Sequence, residues 1–326
     1  MRFASRLNGF ASGAEAYWPE LSGRPGPEAL IARAATVPGL TDVDLNYPDH
    51  FANATPREMG ARAADLGLAV NGLAMRYYSD PAFRLGAFTH PDARVRRKAI
   101  DLTRAGIDAA AEMGAPLMTI WLGQDGFDTP FQADYARLWE WEVAGLAEVA
   151  AHNPDIAVSI EYKPDEPRAF ALLRDAATTL LAIREAGAAN LGVTLDFAHM
   201  LYAGEQPAAA AALVARHSRV LGVHLNDGYG RRDDGLMVGA VHVQQTVELL
   251  ARLREDGYAG AIYFDTFPDA TGLDPVRECA ANIATVRGML ALIERLERSN
   301  ALSEARAAQD AVAAQAVVSA ALLERR

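Results

Sequence analysis

Four apolar, β-branched runs in the second half of the chain close on residues able to hold a cation. "IAVSIEYK" carries Glu161, "LGVTLDF" carries Asp196, "RVLGVHLND" carries His224 and "AIYFDTF" carries Asp265. A buried carboxylate without a partner is costly, so a charge at the end of such a run needs something to pair with. One such Asp, taken singly, caps the next helix or meets an Arg. Three carboxylates at one place would repel each other unless a positive charge sat among them. Lys163 is one candidate, and a divalent cation is the stronger one. Three carboxylates and one imidazole form a mixed oxygen and nitrogen set, suited to Mn²⁺, Mg²⁺ or Co²⁺. Zn²⁺ also binds His and carboxylates and stays open. The expected cofactor is a divalent metal, manganese before the other three.

Spacing extends the set. Side chains alternate along a strand, so Glu161 and Lys163 face the same way while Tyr162 faces the helical layer. Lys163 then either holds a substrate oxygen or forms a salt bridge to Glu161 or Asp196. His224 and Asn226 share a face by the same rule. His199 follows Asp196 by three residues in "DFAHM". There a loop can turn it back to the rim, as a second-metal ligand, a substrate contact or a structural residue. In "VHLNDGYGRRDDGLMVG", Asn226 and Asp227 order a turn or reach the substrate. Asp233 and Asp234, in what reads as a flexible rim loop, bind a second metal or face solvent. Trp121 ("TIWLGQDG") and Trp18 ("AYWPE") line the pocket or belong to the core. Trp139 and Trp141 in "YARLWEWEV" read as core or interface. His50, His90, His152, His217 and His242 carry no assigned role.

Converging these residues requires a scaffold. Strands are expected near 2–7, 41–47, 68–75, 116–123, 156–163, 191–197, 219–227 and 261–267, with segments of helical period between them. Several helices stop at Gly. Eight strand–helix units suggest a closed (β/α)8 TIM barrel, whose strand C-termini converge on one functional face. A doubly wound sheet would carry a Gly-rich phosphate turn after the first strand, and "LNGFASGAEAY" fits that fingerprint poorly. The barrel domain is expected over 1–298. Residues 299–326 form an Ala-rich helical extension, capped by Ser299 or Asn300, that packs on the barrel or on a partner subunit.

The 326 residues are 51% hydrophobic, enough for a large core. A net charge of −11 argues against nucleic-acid backbones as partners. Cys279 is the only cysteine, which fits a reducing compartment and a buried structural thiol. No apolar run is long enough to span a membrane, and the start has no apolar signal segment. The expectation is a cytoplasmic protein without membrane or nucleic-acid partners.

The segments "IEYKPDEPRAF", "VTLDFAHM", "VHLNDGYGRRDDGLMVG" and "IYFDTF" together resemble the xylose-isomerase-like sugar isomerase/epimerase superfamily, most of all L-rhamnose isomerase. "IWLGQDG" is similar to its tryptophan-bearing fourth strand, and the likeness covers roughly residues 115 to 270. The resemblance implies a first metal site of Glu161, Asp196, His224 and Asp265 holding sugar hydroxyls. Lys163 would touch the substrate near O1. His199 with Asp233 or Asp234 would help hold a second metal beside His224. Arg231 and Arg232 occupy the start of the loop's aspartate run, a departure from the rhamnose isomerase pattern.

The implied activity is interconversion of an aldose and a ketose, with Glu161, Lys163 and Asp265 as the catalytic set. Hydrogen would move between C1 and C2 as a hydride, or as a proton through an enediolate and a carboxylate base. Ketose 3-epimerases of the same barrel use two glutamates. An aspartate at 265 tilts the reading toward isomerisation. A C-glycoside deglycosidase (a lyase with a small second subunit), a sugar dehydratase and, remotely, an AP-endonuclease-like phosphodiesterase are the alternatives. The expected partner is a small sugar, with Lys163, Trp121, Asn226 and His199 contacting it, in a homo-oligomer. No Arg/Ser phosphate clamp stands out, which favours a non-phosphorylated sugar.

Overall fold

Apolar residues alternate with small or polar ones along most of the barrel strands, and that alternation divides the molecule into two layers. The computed structural model describes residues 1–21, 23 and 25–323. Its barrel strands are β1 (Arg2–Arg6), β2 (Asp42–Tyr47), β3 (Ala69–Met75), β4 (Leu117–Ile120), β6 (Ala157–Glu161), β8 (Leu191–Asp196), β9 (Val220–Leu225) and β10 (Ala261–Phe264). All neighbours pair in parallel, and β1 closes the ring by pairing with both β2 and β10. The fold is the expected (β/α)8 barrel. Two short strands were not expected: β5 (Gly126–Phe127) and β7 (Phe170–Ala171) pair antiparallel above the rim.

Val43, Leu45, Leu73, Met118, Ile160, Val193, Val223 and Ile262 belong to one continuous apolar core between the sheet and the helices. The residues between them are small or polar and face the barrel axis. Ser159 and Thr194 hydrogen-bond there at 2.5 Å. Gly222 lies so close that a Cβ would stand 2.5 Å from Thr194 Oγ1. Asn71 donates to both oxygens of Asp44 (3.0 and 3.2 Å), and Arg2 pairs with Asp42. A polar axis leaves the C-terminal mouth open for ligands, where branched side chains would have plugged it.

The helices start and stop where local chemistry dictates. Asp92 accepts from Arg94 N–H to begin the helix Ala93–Met113, which ends at Gly114 with φ 73°. Cys279 is buried as expected, and burial pushes its thiol up to about 12.

The C-terminal extension is not one helix. Ser299 caps Asn300–Ala307, the chain breaks at Gln309 with φ 53°, and Asp310 starts Ala311–Leu323 by accepting from Val312 and Ala313 N–H. A mid-sequence Asp is a good N-cap, and here it outcompetes helical continuity. The extension is fastened to the barrel's outer helices by Arg306–Glu255 (2.7 Å) and Gln244–Gln315 (3.1 Å).

Candidate active site

Strand alternation delivers four ligand-type side chains to the mouth. Glu161 ends β6, Asp196 ends β8, His224 lies in β9, and Asp265 stands one residue past β10. One ligand atom from each lies within 4.8 Å of all the others. His224 Nδ1 is 3.4 Å from Glu161 Oε1 and 3.9 Å from Asp196 Oδ2, yet it has no hydrogen-bond partner. A buried imidazole nitrogen without a hydrogen-bond partner, facing two carboxylates, matches what a divalent cation requires of its ligands. The donor set fits such an ion.

The electrostatics agree. Burial alone would raise Glu161, but His224 and His199 beside it hold it down at about 2. Burial drives Asp196 up to about 7 despite His199. Burial opposes charge on His224 and His199 too. The surrounding carboxylates nonetheless lift them to about 9 and about 10. Without an ion, protons on the imidazoles supply the positive charge that the carboxylates demand.

His199 was expected in a loop and sits instead in the first turn of the helix Phe197–Tyr202. Asp196 caps that helix by accepting from His199 N–H at 3.0 Å. The His199 ring bonds Tyr162 O at 3.0 Å and Asp233 Oδ2 at 3.1 Å. Asp233 also receives Lys163 Nζ at 3.2 Å, and its other oxygen is buried without a partner. Lys163 is buried, with a second contact to Glu166 at 2.9 Å rather than to Glu161 or Asp196. Burial would lower its pKa, but Asp233 and Glu166 raise it, so it stays an ammonium. Tyr162 faces the helical layer as expected and donates to Glu205 at 2.6 Å.

Two placements differ from expectation. Asn226 is wholly buried and does not line the cavity. Its amide donates to both oxygens of Asp196 (3.2 and 3.1 Å) and to Asp265 O, while its own oxygen accepts from Ala198 N–H. It therefore orients a ligand instead of touching substrate, because the turn after β9 points it back between strands. Asp234 accepts from Tyr229 N–H and from Arg232, both at 2.8 Å, and stays out of the cavity. Adjacent residues in an extended loop face opposite ways, so only Asp233 turns inward. Of the two alternatives open to each tryptophan, Trp18 packs against the core under the Arg33 guanidinium at 4.8 Å, and Trp121 lines the cavity.

The rim loop is pinned at its base. Asp227 and Leu236 exchange backbone hydrogen bonds of 3.0 and 2.9 Å, and the Asp227 carboxylate holds Val241 N–H and His242. Trp139 and Trp141 are half-buried, one donating to Glu185 and the other stacked by Arg96.

The cavity measures about 790 Å³, ample for a sugar. Sequence reasoning missed Arg6, which reaches Asp265 at 3.5 Å, and Tyr263, whose ring lies 4.2 Å from that of His224. Alternation along β1 and β10 could have found both, since Arg6 and Tyr263 face the axis.

Fold and site together define a (β/α)8 barrel built around a carboxylate–imidazole cluster. Residues 32–288 match the family described as xylose isomerase-like TIM barrel, and the chain belongs to that family. It is 28% identical over 241 residues to xylose isomerase of Thermus thermophilus and 27% identical to that of Thermus caldophilus. Each match covers 70% of this chain and 62% of the relative, so the chain spans less than two thirds of those proteins. Among solved structures, an L-ribulose 3-epimerase superposes with TM-score 0.70 at 20% identity, covering 91% of this chain and 97% of that one. A D-tagatose 3-epimerase-like protein gives 0.70 at 16% identity, covering 90% and 99%. These structural likenesses show the fold. The family is the expected one. The finer likeness to L-rhamnose isomerase gains no support from these matches, which name xylose isomerases and ketose 3-epimerases.

Proposed function

We infer that the protein is a divalent-metal-dependent sugar isomerase interconverting an aldose and a ketose. The observation that carries this reading is the convergence of Glu161, Asp196, His224 and Asp265 within 4.8 Å at the barrel mouth. The matches to xylose isomerases support it. A divalent cation held by these four residues, Mn²⁺ first, would supply Lewis-acid polarisation of the sugar's carbonyl and neighbouring hydroxyl. Lys163, kept cationic by Asp233 and Glu166, presents an ammonium to a substrate oxygen. Trp121 walls the cavity beside it, 5.4 Å from the Lys163 nitrogen. Asn226 fixes the rotamer of Asp196, so that residue is oriented before substrate arrives. His199 and Asp233 are the pair that would hold a second ion, and Asp234 is committed elsewhere.

Metal analysis of the purified protein, followed by a screen of aldoses and ketoses with Mn²⁺, tests the reading. Aldose–ketose interconversion is expected. Interconversion of ketoses at C3 with no aldose formed would replace isomerase by epimerase. Exchange of the moved hydrogen with deuterated solvent reports proton transfer, and its absence counts against the enediolate route.

A further inference from the structure

The half of the mouth across from the ligand cluster carries hydrogen-bond donors that no protein group among the described residues satisfies. Arg76 follows directly on β3, Thr119 lies in β4 and Trp121 just after it. β3 and β4 are paired neighbours with Ala74 opposite Thr119, so these three residues border one side of the cavity, and all three line it. Arg76 Nε, Thr119 Oγ1 and Trp121 Nε1 are each buried without a hydrogen-bond partner. A buried donor left unmet is costly. Three together are a receptor for an acceptor-rich group.

The charges around the cavity point the same way. Lys163 is matched by Glu166 and Asp233, Arg168 by Asp128, and Asp80 by Lys98. Arg6 reaches Asp265 and Asp269. Among the described residues, Arg76 and Arg84 line the cavity and form no ion pair. Arg76 is held by an aromatic instead: its guanidinium lies 5.2 Å from the Tyr78 ring centre, and Tyr78 packs edge-on against Trp121 at 5.6 Å. An arginine braced by rings keeps its fork free for a planar or tetrahedral oxyanion.

We propose that the substrate carries an oxyanion, a carboxylate or a phosphate, at the end away from the ligand cluster, received by Arg76, Thr119 and Trp121 with Arg84 at the rim. This deepens the isomerase reading, on which it rests for the other end of the substrate. The substrate class becomes an acidic sugar, and its phosphate form would depart from the sequence-based preference for a non-phosphorylated one. In "LAMRYYSD", Arg76 has no adjacent basic or serine companion to mark it, because its partners come from the neighbouring strand.

Calorimetric binding to the full-length protein with Mn²⁺ present provides the test. The probes are D-gluconate, D-glucuronate and D-glucose 6-phosphate, each compared with D-glucitol and D-glucose at low and high salt. The acidic probes are expected to bind at least about tenfold tighter, an advantage that shrinks with salt. A preference for the carboxylates or for the phosphate identifies the source of the anion. Arg76→Met should close the gap between acidic and neutral probes, and Arg76→Lys should restore part of it. Should Arg76→Met fail to fold, Arg84→Gln on its exposed turn is expected to narrow the gap by a few-fold. Equal binding of neutral and acidic probes, no binding of any acidic probe, or a preference that survives both substitutions overturns the proposal. Acidic binding that depends on Arg76, without interconversion of any sugar, would instead sink the isomerase reading and leave this one standing.

Discussion

The two halves of the barrel mouth are built from opposite chemistry. Strands β6, β8, β9 and β10 contribute acceptors: three carboxylates and an imidazole packed within 4.8 Å, with Asp233 offering an unmet oxygen nearby. Strands β3 and β4 contribute unmet donors from Arg76, Thr119 and Trp121. The first half is suited to a cation and the second to an acceptor-rich group, so a metal-held ligand spanning the cavity would engage both. One fold thus presents two polarities because inward-facing positions are set strand by strand.

The largest expected effect lies in the acceptor half. Glu161→Gln removes the carboxylate that faces both His224 and His199, and we expect loss of the bound metal with a fall in turnover of roughly 10³-fold or more. Retention of both metal and activity would remove the acceptor half from the chemistry. Metal content by plasma emission, alongside turnover, reads this directly.

A smaller effect separates the other half. His50 is buried behind β2 and accepts a hydrogen bond from Asn46 N–H at 3.0 Å. Burial, aided by the nearby Arg76 charge, lowers it from 6.5 to about 4. A histidine depressed in the folded state contributes its stability above pH 6.5. That contribution is lost as pH falls from 6.5 through about 4, amounting to about 3 kcal/mol. Chemical denaturation across this window should show the loss, and His50→Gln should flatten it. An unchanged acid profile in the variant would mean that burial does not hold His50 neutral in the folded state.

Smaller again is Asn226→Ala. It leaves the Asp196 carboxylate without its two amide contacts, and metal affinity should fall roughly 10- to 100-fold with the ligands intact. If affinity holds and sugar binding falls instead, Asn226 contacts substrate after all and the site is mis-assigned there.

The acceptor half was legible in the sequence, and of the donor half only Trp121 was. Glu161, Asp196, His224 and Asp265 stand out because a charge closing an apolar strand is costly and therefore informative. The barrel was legible from eight β-branched runs separated by helical periods. Arg76 and Thr119 gave no such signal, and Trp121 was read as a sugar contact rather than as a donor. A Thr in a strand and an Arg after one are ordinary, and their meaning arises only when the β3–β4 register brings them side by side. Asn226 was misread because strand alternation does not extend through the turn after Leu225. Asp234 was included beside Asp233 because sequence adjacency hides which carboxylate turns inward. The break at Gln309 was missed because an Ala-rich run outweighs a single capping Asp in any periodicity.

Whether Glu161, Asp196, His224 and Asp265 form a working metal centre decides what the barrel does. The most direct measurement strips the purified protein with a chelator, restores Mn²⁺ stepwise, and follows bound metal and aldose–ketose interconversion in the same samples. Activity should vanish on stripping and return in proportion to the ion bound. Continued turnover by the stripped protein, or a protein that takes up no divalent ion, would contradict a working metal centre there.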